Sequence, residues 1–193
     1  ILNTSGCSLA DLTYQFNISK NTVIRDIKVL HSQLALYHLQ ITNTESGKII
    51  TGSPTAVRKW VYDHATQLKT LIEQTRRATI KPTTINDQIK LFERITGKYL
   101  TDDASITIRL FLYWYLTNIR DCNNQLSDVI SAQTDLTLDH IWAKSFLNDY
   151  HIDNSNEVDY LVKLINSSQF AHVNWNDDLI QKLKPFSVRM ISS

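Results

Sequence analysis

Leu9, Leu12 and Phe16 follow Ser8 at intervals of three and four residues, and this spacing predicts a short helix with one apolar face. Ser8 and Asp11 stand in the capping-box relation, with Asp in place of the usual Glu. Asn17-Ile18 interrupts the pattern, Ile18 is expected to fill the corner, and Ser19 can cap a second helix. In that second helix Val23, Ile27, Leu30 and Leu34 line one side. Lys20, Asn21, Arg25 and Lys28 project from the other faces, with Thr22 near the start. Two short helices joined by a turn of three or four residues make a helix-turn-helix.

The period then changes from helix to strand. Leu39-Gln40-Ile41-Thr42 alternates, Thr44-Glu45-Ser46-Gly47 supplies a turn, and Lys48-Ile49-Ile50-Thr51 returns as a partner strand. A β-hairpin directly after such a helix is how a wing is built. Ser53 and Pro54 open a third helix, with Val57, Val61, His64 and Leu68 as its inner face and an expected end near Glu73. Arg76, Arg77, Lys81 and Pro82 read as a linker.

From Thr84 onward the pattern is helical throughout. Ile85, Ile89 and Phe92 define one helix, closed by Gly97; Asp102 or Asp103 is expected to cap a long apolar one ending near Arg120. Leu138, Ile141, Trp142 and Phe146 line a further helix, and Asn154 or Ser155 starts another through Val158, Leu161, Val162 and Ile165. Asn176 can cap a last short helix that Pro185 ends. The fold class is therefore mainly α: a winged helix-turn-helix with a β-hairpin wing, then an all-α bundle of about five helices. The expected division is a reading domain over 1–75, a linker over 76–82 and a helical domain over 83–193.

Composition supports an ordered, helix-rich chain: 42 % of residues are hydrophobic, with only 4 Gly and 3 Pro. No run of 18 apolar residues occurs, so no membrane span is expected. Cys7 and Cys122 lie far apart without CxxC spacing, which fits a reducing, cytoplasmic setting. The chain opens on Ile1 within an apolar phrase and reads as a piece of a longer protein. Its net charge of +1 is unevenly spread. Residues 1–81 hold ten Lys/Arg against five Asp/Glu, and residues 82–193 hold ten against fourteen. Only the first part has the balance to face a polyanion.

The candidate chemistry is recognition of double-stranded DNA. A helix entering the major groove needs an apolar back and a polar front near its N-terminus. Asn21, Thr22 and Arg25 are the candidates for base edges; Lys20, Lys28 and, near the wing tip, Lys48 are the candidates for phosphates. Asp26 would repel phosphate and is expected to face a protein neighbour. No HExxH, Gly-rich phosphate loop or paired-Cys motif appears, so no enzyme, cofactor or metal is expected. His31 and His38 read as packing or surface residues, and His140, His151 and His172 lack ligand spacing. Asp102-Asp103 and Asp177-Asp178 read as helix caps, and Trp114 and Trp142 as core.

The segment from Ser19 to Leu30, with Gly47-Lys48-Ile49-Ile50-Thr51-Gly52 and Val57-Arg58, resembles the N-terminal DNA-binding part of bacterial sugar-operon activators. These are the regulators with PTS regulation domains, such as the mannitol- and lichenan-operon activators; virulence regulators of the Mga type are related. Leu100–Asp103, the apolar helix through Arg120, and Asn156–Leu161 are similar to landmarks of one all-helical PTS regulation domain. The resemblance implies a homodimeric transcriptional activator, with sugar phosphotransferase proteins as partners of the full-length protein. In that family histidines in two landmark helices accept phosphate. The corresponding positions fall near Tyr113, with Arg109 as the alternative register, and near Leu164. Neither is histidine, so no phosphorylation site is assigned. The competing reading is a helical protein-interaction or dimerisation module with little DNA binding of its own.

Overall fold

The computed structural model describes residues 6–74, 82–119, 126 and 137–171. It begins with α1 (Leu9–Phe16), where Ser8 Oγ accepts from the Asp11 amide at 3.1 Å and Asp11 Oδ2 accepts from the Ser8 amide at 3.0 Å. That reciprocal pair satisfies two donors the helix itself leaves open. Asn17, left-handed at φ 50°, ends α1, and Ser19 caps α2 (Lys20–Ala35) by accepting from the Thr22 amide at 3.2 Å.

The apolar side of α2 faces inward as its spacing requires. Val23 and Leu34 are buried, Ile27 and Leu30 half-buried. Two expectations for α1 fail: Phe16 and Ile18 are exposed, and only Leu12 is buried. Eight residues make little more than two turns, so α1 covers α2 with its middle, and its last turn and the corner stay in solvent.

Strands β1 (Gln40–Thr44) and β2 (Gly47–Thr51) pair antiparallel from Gln40↔Thr51 to Thr44↔Gly47, leaving Glu45-Ser46 as the turn. Cys7 adds a bridge on the outer edge of β2, its amide and carbonyl exchanging hydrogen bonds with Lys48 at 3.0 and 2.8 Å. This close approach demands a glycine at position 47, since a Cβ there would meet the Cys7 carbonyl carbon at 2.5 Å.

Helix α3 (Pro54–Asp63) has Ser53 as its cap and Pro54 in the first turn. The expected continuous helix to Glu73 is broken. The chain leaves helical geometry at His64, whose ring nitrogen shares the Trp60 carbonyl at 2.8 Å while the ring stacks on Trp60. It re-forms as α4 (Lys69–Gln74). The break returns Ala65 and Ile72 to one core with Trp60 and Val61.

Four helices of the bundle fall among the described residues: α5 (Pro82–Thr96), α6 (Asp102–Asn118), α7 (Leu138–Asn148) and α8 (Ser155–Asn166). Ile85, Ile89 and Phe92 are buried on α5, and Gly97 follows at φ 70°. The cap of α6 is Thr101, not Asp102 or Asp103, which instead lie in the first turn where the helix dipole favours negative charge. On α7, Leu138 and Ile141 are exposed. The buried line there is Asp139, Trp142, Ala143, Phe146 and Leu147, because the helix packs on α5 and α8 through that face. Asn154 caps α8, and Trp114 and Trp142 are core. Arg76, Arg77, Lys81, Arg120, Cys122, His172, Asp177-Asp178 and the segment from Asn176 to Pro185 lie outside the described residues.

Candidate nucleic-acid interface

The outward face of α2 is polar over its first half. Lys20, Asn21, Arg25 and Lys28 are exposed and Thr22 half-buried, opposite the buried Val23. Thr22 is partly engaged in the cap, its hydroxyl 2.9 Å from Ser19 Oγ. The Arg25 guanidinium, about three-quarters exposed, lies 3.4 Å from the Asp26 carboxylate. Asp26 thus faces solvent beside Arg25 rather than a protein neighbour. Adjacent positions on an exposed helix turn place the two side chains within reach, and no apolar surface is there to cover the carboxylate. An exposed pair of this kind is worth little, so the guanidinium can exchange Asp26 for a better acceptor.

Lys48 stands one residue pair from the hairpin turn, opposite Asn43. It is half-buried, and its Nζ donates to Asn43 Oδ1 at 2.6 Å. The wing and α2 are both tied to the core: Leu39, at the entrance to β1, and Leu34, at the end of α2, are fully enclosed, with Ile41 and Ile50 packed against the same cluster. The polar opening turns of α2 and the wing therefore belong to one scaffold. His31 is exposed, and His38 takes a left-handed turn conformation between α2 and β1.

The pattern of apolar positions missed Arg58. It is buried within α3, and its two terminal nitrogens donate to the carboxylate of Glu157 on α8 at 2.7 and 2.9 Å. Glu157 is completely buried and also accepts from the Tyr115 hydroxyl on α6 at 2.7 Å and from the Leu126 amide at 2.7 Å. The guanidinium lies over the rings of Tyr115 and Tyr160, 5.2 and 4.8 Å from their centroids. Burial, followed by the negative charge of Glu157, pushes the Tyr115 hydroxyl well above its ordinary value, so it serves as a fixed donor. The available signal was spacing: Arg58 is three residues from the buried Val61 and shares its face. Of the landmark positions in the bundle, Tyr113 is buried, Arg109 and Leu164 half-buried.

Two helices at a short turn, the second polar at its outer N-terminal half, with a β-hairpin wing behind, define a winged helix-turn-helix. Residues 1–64, about a third of the 193-residue chain, match the family model of the Mga helix-turn-helix domain. No curated protein matches the chain. Among the described residues no group of three or more His, Cys, Asp or Glu side chains could hold a metal ion, and no helix is long and apolar enough to cross a membrane.

Proposed function

We propose that this chain is a sequence-specific DNA-binding transcriptional regulator, an activator of a carbohydrate uptake or utilisation operon linked to the phosphotransferase system. The observation that carries the reading is the exposed row Asn21, Arg25 and Lys28 on a helix whose other side is anchored by Val23 and Leu34, within a segment matching the Mga helix-turn-helix domain. Arg25, Asn21 and Thr22 read base edges; Lys20, Lys28 and Lys48 hold phosphates. The reading domain spans residues 1–75, residues 76–82 link it, and residues 83–193 form a PTS-regulation-like helical domain. Tyr113 and Leu164 stand where that family carries histidines, so these two positions of a cytoplasmic regulator take no phosphate. A homodimer sets two recognition helices in successive major grooves, roughly 34–36 Å apart.

The test is binding to duplex recovered by footprinting upstream of the neighbouring genes. Arg25→Ala should lose about 1–3 kcal/mol on that site and much less on random duplex. Equal losses on both reassign Arg25 to phosphate, and no salt-dependent duplex binding by the folded chain sinks the reading.

A further inference from the structure

Among the described residues four Lys or Arg side chains are buried or half-buried: Lys48, Arg58, Lys98 and Arg109. Three have a close acceptor. Arg58 holds Glu157, Lys98 Nζ lies 2.6 Å from Asp139 Oδ2, and Lys48 Nζ lies 2.6 Å from Asn43 Oδ1. Arg109 differs, since its guanidinium reaches only Asn86 Oδ1, at a long 3.4 Å. A guanidinium has five donors, and taking it partly out of water is costly without acceptors.

Arg109 opens onto a cavity of about 280 Å³ between α4, α5 and α6. Lys69 and Glu73 of α4, Asn86 of α5, and Ile106 and Tyr113 of α6 also line it. Lys69 makes no ion pair among the described residues. Two cations against the carboxylate of Glu73 leave the walls with a formal charge of +1. The volume falls just below the range for drug-sized sites, roughly 300–1,000 Å³, and suits a smaller molecule.

We propose that this cavity binds a small organic anion. Arg109 and Lys69 take its phosphate or carboxylate, and Asn86 donates a further hydrogen bond. The planar fork of arginine suits both oxyanions. Because α4 follows α3 and packs on α6, an occupant also braces the junction between the winged part and the bundle. Nothing here depends on duplex binding, so the proposal and the DNA-reading function fail separately.

The experiment is calorimetric titration of the chain with inorganic phosphate, glycerol 3-phosphate and malate, with glycerol as the uncharged control. At least one anion should bind saturably and raise the melting temperature, and glycerol should do neither. Arg109→Gln should weaken binding at least about ten-fold, and Lys69→Gln about three- to ten-fold. A Lys20→Ala/Arg25→Ala double variant should bind the anion as the parent does. Should Arg109→Gln not fold, the exposed Lys69→Gln decides. The proposal is overturned if no anion saturates at millimolar concentration, if the deciding variant binds unchanged, or if affinity follows the α2 variant instead.

Discussion

Helices α2 and α6 are nearly the same length, 16 and 17 residues, yet they divide their surfaces in opposite ways. α2 buries only Val23 and Leu34; α6 buries nine residues, from Ala104 to Leu116. Most of the surface of α6 is covered by its neighbours, with Phe111 in contact with Tyr62, Trp114, Tyr115 and Tyr160. It is a hub, and its stability comes from packing. α2 is held along one side, by Val23 and Leu34 with the half-buried Ile27 and Leu30, and by its cap, which leaves its outer surface open. A helix that does so little for its own fold has surface available for another molecule.

The largest effect expected from breaking this division lies where the two regions meet. Arg58→Ala removes one half of a buried ion pair and strands the Glu157 carboxylate without its cation. The expected loss is about 3–5 kcal/mol in denaturant unfolding. Replacing both partners by Met should recover much of it, because apolar side chains of similar volume carry no desolvation cost. Arg25→Ala, on the exposed side of α2, should change stability by no more than about 0.5 kcal/mol. If Arg58→Ala proved as mild as Arg25→Ala, α3 would not be anchored through this pair.

Caps offer a finer comparison. Ser19 and Thr101 play the same part, each accepting a hydrogen bond from the amide three residues on, at 3.2 and 3.3 Å. Ser19→Ala and Thr101→Ala should each cost about 1 kcal/mol. Their consequences should differ, since fraying α2 disorders Asn21 and Thr22, whereas fraying α6 disturbs no proposed contact with duplex. Ser19→Ala should therefore weaken duplex binding as well as stability, and Thr101→Ala stability alone. Equal duplex affinities in the two variants would detach the first turn of α2 from recognition.

What the sequence made legible follows the same division. Local chemistry was readable: Ser8 with Asp11, Ser19, the hairpin turn and Ser53-Pro54 specify their own elements within a few residues. So was the apolar line of α2, and with it which residues α2 leaves in solvent. Features set by distant partners were not. Arg58 looks like an ordinary charged residue until Glu157, 99 positions away, is packed against it. Leu138 and Ile141 match a helical period but lose their place in the core to Ala143 and Leu147, because α5 and α8 approach α7 from another side. The break at His64, where the backbone turns to φ −114°, leaves the apolar period through Leu68 intact, so periodicity does not register it.

Acid titration gives the smallest effect and separates the two regions once more. Asp139, at the start of α7, is pushed up by burial, but hydrogen bonds from Lys98 and Asn166 outweigh this and hold its carboxyl below the ordinary value of 3.8. A carboxylate lowered on folding stabilises fully above its unfolded value, and that contribution is lost as pH falls through the folded one. The stability gap between the parent chain and Asp139→Asn should thus be constant near neutrality and narrow below about pH 4. Asp11 is lowered in the same direction by its hydrogen bonds with Ser8, but it is fully exposed in the winged part. Asp11→Asn should therefore show a much flatter pH dependence than Asp139→Asn, as unfolding curves between neutrality and acid can measure. Equal slopes would mean that the Lys98–Asp139–Asn166 cluster is as solvated as a surface cap, and that the bundle is looser at that end than its packing indicates.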